Sequence, residues 1–355
     1  MKKVYTVTFQ RVLNYGAVLQ AYALMKFLKS HDYDVEVLDY APSYFLLQTY
    51  RPAKGYQKTI DKYRKFHQFK NFRNKFMSLT PKAYFSLNAL KKLPAAHAVI
   101  CGSDQIWNLN LTNKNFDPTF FLDFAKDDTK RVAFAASAGS IRLNDSASKV
   151  KPFLEAFDSI GTRESILAED VKEIAPDTNP VVVVDPCLLI KDYTEVFDDT
   201  RIPKGEFIVS YVVGSGEMLE RFNDRIKEFK KYSDLPVIHI GAKGIDAADV
   251  NILDIGPSDW ITFIKRAKYV VTNSFHGTAF SINFEKSFIF VAHIVSNLNA
   301  RQTTLLTSVG LMDRMLKDNE ALTTKKISDI DYARVTPILN EVVTKSQRFL
   351  IESLK

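Results

Sequence analysis

The sequence predicts an α/β protein of two domains that face a cleft, and three observations predict it. Strand-like apolar runs alternate with amphipathic helical runs in two series, parted by a charged, turn-rich stretch at 191–205. At 355 residues the chain exceeds what one ordinary core holds. Polar loops carrying glycine, asparagine and hydroxyl residues follow strands of both series, at the end where open α/β sheets take ligands.

The elements follow in order. Residues 4–9 read as a strand, and 17–30 as an amphipathic helix with Leu19, Tyr22, Ala23, Met25, Phe27 and Leu28 available for burial. A strand at 35–38 completes a βαβ start, with the loop 10–16 at the carboxyl end of the first strand. The strand 98–101 runs into Gly102-Ser103-Asp104-Gln105, and 131–136 runs into Ser137-Ala138-Gly139-Ser140. Strands at 159–162 and 181–184 finish the first series, and Asp185-Pro186 opens the connection. The second series has strands at 207–213, 236–240, 269–271 and 287–292, with helices at 217–231, 259–267 and 301–310. Domains are therefore expected at 1–190 and 200–330, followed by a helix over 331–355 whose expected place is against the first domain.

Composition narrows the class. Hydrophobic residues make up 46% and charged residues 25%, the balance of a folded globular chain and not of a disordered one. No apolar run approaches the roughly 20 residues that cross a bilayer, and the N-terminal run is too short for a signal peptide. Cys101 and Cys187 each sit in an apolar run, which argues against a disulfide framework and a cysteine metal site. The expected compartment is the cytoplasm. No His, Cys and carboxylate spacing suggests zinc, so no metal and no cofactor is expected.

The net charge of +7 asks for an anionic partner, and its excess is concentrated. Between residues 54 and 77, Lys54, Lys58, Lys62, Arg64, Lys65, Lys70, Arg73 and Lys75 face a single acid, Asp61. Tyr56, Tyr63, Phe66, Phe69, Phe72 and Phe76 recur there at helical spacing, which predicts a basic amphipathic helix inserted in the first domain. Two readings stand: a surface helix with an aromatic core face, or a patch over 54–75 for an anionic membrane at its inner face. Nucleic acid is not expected, because no recognition motif accompanies the charge.

The chemistry concentrates in Thr272-Asn273-Ser274-Phe275-His276-Gly277-Thr278, between the strand at 269–271 and a helical run. Unpaired N–H groups at a helix start favour an anion, and a histidine there moves protons near neutral pH. Together with Asn14-Tyr15-Gly16-Ala17-Val18-Leu19-Gln20 and Gly102-Ser103-Asp104-Gln105-Ile106-Trp107, this block resembles the polysaccharide pyruvyl transferase family. Weaker blocks fall in the family's order: Ala136-Ser137-Ala138-Gly139, Thr162-Arg163-Glu164, Val184-Asp185-Pro186 and Arg301 through Gly310 to Arg314.

The resemblance implies two Rossmann-like domains facing a cleft in a GT-B-like architecture. It also implies transfer of a pyruvyl group from phosphoenolpyruvate to a sugar as a cyclic ketal, with His276 and Arg163 at the donor site. Family members carry an arginine two residues before the histidine, where this chain has Ser274. This chain is thus a variant branch, in which the donor's charge falls to Arg163, Arg301 or a lysine, or the donor itself differs.

Each candidate has a plainer reading beside the functional one. His276 is the proton donor or a helix-capping residue bonded to Asn273 or Ser274. Arg163 clamps an anion or merely pairs with Glu164, and Arg301 binds substrate or makes an interdomain ion pair. Asp104 accepts a hydroxyl proton or caps the next turn. Asn14 and Gly16 build a left-handed turn that presents Tyr15 and backbone N–H groups to substrate, or only permit that turn. Gly102, Ser103, Gln105, Ser137, Gly139, Gly277 and Thr278 complete the expected substrate-binding set. Gln20 reads as a loop brace, Trp107 as buried under its loop, His239 and His293 as core residues, and Gly214-Ser215-Gly216 as a turn or a weak phosphate loop. The leading expectation is a pyruvyltransferase acting on a glycan precursor, lipid-linked or free. The alternatives are a GT-B-type glycosyltransferase using a nucleotide sugar, and a non-catalytic glycan-assembly factor.

Overall fold

The computed structural model describes residues 1–53, 55–112 and 116–355, and of residues 47–50, 57 and 58 the backbone alone. The elements of the first half run β1 (Lys2–Val7), α1 (Tyr15–Lys29), β2 (Tyr33–Val37), α2 (Ser43–Tyr50), α3 (Tyr56–Phe76), α4 (Leu87–Leu90), β3 (Ala98–Cys101), β4 (Lys130–Ala136), α5 (Ala147–Leu154), β5 (Ser159–Thr162), α6 (Ser165–Ile174) and β6 (Val181–Val182). The second half runs β7 (Ile208–Tyr211), α7 (Glu217–Phe229), β8 (Val237–Ile240), β9 (Val250–Ile252), α8 (Pro257–Arg266), β10 (Tyr269–Thr272), α9 (Phe275–Asn283), β11 (Ser287–Val291), α10 (Ala300–Ser308), β12 (Met315–Leu316), α11 (Thr324–Ile327) and α12 (Tyr332–Ser353).

Each half builds one parallel six-stranded sheet. The strand orders are β2-β1-β3-β4-β5-β6 and β12-β11-β10-β7-β8-β9. Central strands such as β3, β7, β10 and β11 are buried along their whole length, as parallel strands covered on both faces must be. In the first half, Val7, Trp107, Phe120, Phe121 and Val171 belong to one core. In the second, Phe222, Ile226, Val237, Val271 and Ile289 belong to another.

The chain divides into two compact units. One comprises Met1–Arg51, Arg73–Ile190 and Asn340–Lys355; the other comprises Pro52–Phe72 and Lys191–Leu339. The end of α12 is sewn into the first unit. Ser346 Oγ accepts from the Val184 amide at 3.0 Å, Gln347 donates to the Leu189 carbonyl at 3.0 Å, and Phe349 stacks on Phe134. His97 Nε2 meets the Leu354 carbonyl at 2.5 Å in the same unit. In the second unit the Tyr332 hydroxyl at the start of α12 donates to the Lys286 carbonyl at 2.7 Å. Among the described residues, no helix is long and apolar enough to cross a membrane.

The basic segment departs from its expected form. Residues Pro52–Phe72 group with the second unit, although sequence order places them inside the first. Gln68 lies so close to Gly256 that a Cβ there would meet the Gln68 Cβ at 2.8 Å. The aromatic set does not form one core face: Phe69 and Phe72 are buried, whereas Tyr56 and Tyr63 are exposed. The charges divide as well. Arg73 is buried with its guanidinium on the Gln10 carbonyl, and Lys65 lies over the Phe69 ring. Arg64, Lys70 and Lys75 remain exposed, and Lys54 lies outside the described residues.

Candidate functional site

In the first unit the predicted loops converge on one buried guanidinium. β5 ends at Thr162, and Arg163 follows with its amide on the Ala136 carbonyl at 2.9 Å, which aims the side chain inward. Its guanidinium reaches Asp185 at 2.9 Å, Asp104 at 3.7 Å and Glu164 at 3.9 Å, with 1% of the side chain exposed. Burial works against the charge, and Asp185, Asp104 and Glu164 outweigh it, so the pKa is raised. One cation among three carboxylates does not make an anion clamp. Arg163 is held as a brace, and the expectation that it grips phosphate or carboxylate is not what this arrangement favours.

Ser103 completes that knot. Its Oγ lies 2.8 Å from Asp185 Oδ2 and 3.0 Å from the Ala135 carbonyl, and its amide donates to Gln20 Oε1 at 3.1 Å. Gln20 is fully buried and also donates to Thr8 Oγ1, which in turn donates to the Ser103 carbonyl. Gln20 therefore braces the loop. Gly102 carries φ +134°, and any Cβ there would lie 1.9 Å from the Phe134 carbonyl oxygen. Asp104 takes φ +69° and accepts from the Gln105 amide at 2.9 Å. Its side chain is 7% exposed against 1% for Glu164 and 0% for Asp185, so it is the acid of this group that solvent reaches. Trp107 is buried, donates to the Phe120 carbonyl and stacks on Phe121.

Several expected contacts are corrected here. Ser137 and Gly139 were expected to bind substrate, but the Ser137 hydroxyl and the Ala138 and Gly139 amides all donate to Glu164 Oε1 at 2.7, 3.0 and 3.2 Å. Asn14 does not enter a left-handed turn. Its backbone is extended and its side chain caps α1, accepting from the Ala17 amide at 3.3 Å. Gly16 is already helical, and Tyr15, the first helical residue, is 2% exposed and packed inward. Asn14 alone of the three faces solvent. Asp185 and Glu164 were legible only as members of weak motif blocks. The signal for Asp185 was an acid directly after an apolar strand, a carboxylate that needs a buried cation.

In the second unit the hub is Asn273. Its Nδ2 donates to the Val213 carbonyl at 2.9 Å, its Oδ1 accepts from the Val213 amide at 2.7 Å, and its carbonyl accepts from the His293 imidazole. The loops after β7, β10 and β11 thus meet at the carboxyl ends of three neighbouring strands. Ser274 caps α9 through its hydroxyl, accepting from the Gly277 amide at 3.3 Å, so the capping role falls to serine and not to His276. His276 is the second helical residue, 6% exposed, with its ring edge-on to Phe275 at 5.2 Å. Thr278 donates to the Ser274 carbonyl, and a Cβ on Gly277 would meet Thr272 Oγ1 at 2.6 Å. Both are packing residues of the turn, not open to substrate.

His293 is not the core residue its apolar surroundings predicted. It lies half-buried beside Asn273, its amide and carbonyl both held by the Asn299 side chain at 2.9 Å. Burial pushes its pKa down and the bond to the Asn273 carbonyl pulls it up; Arg301 and Arg221 push it down again, and the net shift is downward. Arg301 follows Asn299 by two residues, in the first turn of α10. His239 is a core residue, its Nδ1 2.6 Å from Ser210 Oγ and its Nε2 2.9 Å from the Lys243 carbonyl. The Gly214-Ser215-Gly216 turn opens α7 with Glu217 and Glu220 in the first turn, which disfavours phosphate at that helix end. Among the described residues, no group of three or more His, Cys, Asp or Glu is arranged to hold a metal ion.

Comparison with known proteins places these loops in context. No curated protein matches the chain in sequence. Among solved structures, Anabaena HepE in complex with UDP and glucose is 9% identical, with a TM-score of 0.52 over 100% of this chain and 99% of that one. UDP-GlcNAc 2-epimerase from Neisseria meningitidis bound to UDP-GlcNAc is 9% identical, with a TM-score of 0.51 over 100% and 99%. S. aureus MnaA with UDP is 12% identical, with a TM-score of 0.50 over 96% of each chain. At such identities the likeness shows the fold, a two-domain α/β protein of the GT-B-like kind. The family model for polysaccharide pyruvyl transferase matches residues 14–294, a span that contains Asp104, Arg163 and His276, and the chain belongs to that family of transferases acting on polysaccharides.

Proposed function

We propose that this protein transfers a pyruvyl group from phosphoenolpyruvate to two hydroxyls of a glycan sugar, forming a cyclic ketal. The observation that carries the reading is His276 on the first turn of α9, inside the span matched by the family model. The reaction needs a proton on the enol carbon, and an imidazole is the side chain whose chemistry suits proton delivery near neutral pH. Protonation turns the methylene into a methyl group and leaves an oxocarbenium-like centre. One sugar hydroxyl adds to that centre, and the second displaces phosphate. Of the two hydroxyl protons, one replaces the proton given to the carbon and the other leaves with phosphate. Asp104, the most open acid of the first unit's cluster, is the group we assign to take a hydroxyl proton. Arg163 positions it, since the guanidinium that holds Asp104 is itself fixed by Asp185. Arg301 is assigned to the donor's carboxylate or phosphate.

A nucleotide-sugar donor is the competing reading, motivated by UDP in the solved structures of the same fold. Thermal stabilisation separates the two. A ligand at about 100 times its dissociation constant stabilises by roughly 2.7 kcal/mol. Phosphoenolpyruvate should raise the melting temperature more than pyruvate does. His276→Ala should keep that shift while losing release of phosphate in the presence of acceptor glycan. A shift with UDP-glucose or GDP-mannose and none with phosphoenolpyruvate would overturn the reading.

A further inference from the structure

Helix α3 turns one face to the protein and another to solvent, and the two differ in kind. On the protein side Gln68 packs against Gly256, and Phe69 and Phe72 are buried. On the other side Tyr56, Tyr63, His67 and Lys70 are all exposed, with Arg64 and Asn71 beside them. At about 100° of turn per residue the first four fall within roughly 60° of arc, and from Tyr56 to Lys70 they run about 21 Å along the axis. Tyr56 is 84% exposed and Tyr63 39%, and tyrosine and arginine are the side chains that gain most when an interface closes over them. The helix contains one acid, Asp61, which is half-buried and 3.9 Å from Arg64. Two residues before Gly256, Asp254 is paired with Arg201 at 2.7 Å. The exposed stripe is therefore cationic, with aromatic rings set between its charges.

Pyruvyl transfer changes the charge of the chain it acts on. Phosphate leaves, but the donor's carboxylate stays on the ketal, so each modified sugar adds one negative charge to the glycan. Such a chain offers ring C–H faces to tyrosine, hydroxyls to asparagine and carboxylates to arginine and lysine. An anionic membrane would use the charge alone. A helix lying in lipid needs an apolar face to sink, whereas Phe69 and Phe72 are buried in the protein and the exposed stripe holds no Leu, Met, Phe or Trp.

We infer that the stripe of Tyr56, Tyr63, Arg64, Lys70 and Asn71 binds an acidic glycan chain, namely the polymer that the enzyme has modified. The identity of that polymer rests on the pyruvyl reading, which makes the product acidic. The stripe retains the chain through its carboxylates and ring faces together, so it discriminates both against neutral glycans and against polyanions that lack sugar rings.

Calorimetric titration of the full chain with polygalacturonate, dextran and polyglutamate, and co-sedimentation with phosphatidylserine–phosphatidylcholine vesicles, test it. Wild type should bind polygalacturonate at least tenfold tighter than dextran or polyglutamate, and the affinity should fall as salt rises. Tyr56→Ser and Tyr63→Ser should each weaken polygalacturonate at least threefold at an unchanged melting temperature. Tyr56→Phe and Tyr63→Phe keep the ring and should bind like wild type. Arg64→Gln combined with Lys70→Gln should weaken binding at least tenfold. Wild-type affinity in all of these variants, equal affinity of wild type for polyglutamate, or tighter binding to the vesicles than to polygalacturonate would each overturn the stripe. Failure of wild type to bind polygalacturonate would overturn it too, while leaving the pyruvyl donor standing. If phosphoenolpyruvate stabilises nothing but polygalacturonate binding follows the expected pattern, the pyruvyl reading fails and the surface for acidic glycan stands without it.

Discussion

Asp104 is the residue on which the two halves of the proposed chemistry can be told apart. Its carboxylate has three tasks in the structure: it accepts from the Gln105 amide, faces Arg163 and remains the most open acid of its group. Asp104→Asn keeps Oδ1 for the Gln105 amide and removes only basicity and charge. The expected outcome is a fall in kcat of about 10²–10⁴ with phosphoenolpyruvate affinity unchanged, read by steady-state phosphate release and calorimetry. A loss of affinity alone would place Asp104 in binding and not in proton transfer. Residue types in the strand-end loops were enough to nominate Asp104 and His276, because both stand just beyond strands. They were not enough for Arg163. Whether a guanidinium meets a substrate anion or a protein carboxylate depends on Asp185 and Glu164, and no local pattern shows that both turn toward the same buried cation.

At the scale of elements, the βα loops are specified by steric fit more than by polar character. Gly102 and Gly139 both have positive φ, yet a side chain would meet different obstacles at each. At Gly102 it strikes the Phe134 main chain, which is fixed within the sheet; at Gly139 it strikes the end of the Gln105 side chain at 2.0 Å, which can swing away. Gly102→Ala should therefore cost about 3–5 kcal/mol and Gly139→Ala about 1–3 kcal/mol. Urea midpoints at constant slope measure both, and a reversed order would mean the loop after β4 is the stiffer of the two. The parallel strands were legible because burial on both faces leaves continuous apolar runs. The start of α1 was misjudged for an equally physical reason. Asparagine and glycine together suit a left-handed turn, but an N-cap uses asparagine just as well, and only the placement of Tyr15 decides between them.

For the whole molecule, alternation of strands and helices was sufficient to indicate two α/β domains, while the allegiance of α3 was not. Its residues before Arg73 group with the second unit through contacts such as Gln68 against Gly256, which no periodicity encodes. Global stability carries its own pH signature through His239. Burial lowers its pKa from 6.5 to about 4, partly offset by the bond to Lys243. A depressed folded-state value means the stabilisation is complete above pH 6.5 and is lost as pH falls from there through 4. The loss should reach up to about 3 kcal/mol, taking roughly 1.4 kcal/mol per unit. Chemical denaturation at pH 7 and pH 4.5 should show it in wild type, and His239→Asn should flatten this part of the profile. An unchanged slope in the variant would assign acid sensitivity to other groups.

The loop after β4 has one further consequence. With three donors turned on a single oxygen of Glu164, the protein carries a built-in occupant for what would otherwise be an empty receptor. Glu164→Ala evicts that occupant and leaves a vacancy shaped for a small carboxylic acid. The variant should lose about 3 kcal/mol, and added formate should raise its melting temperature while leaving that of wild type unmoved. If formate rescues, a single deletion will have converted a structural tether into a chemically addressable switch.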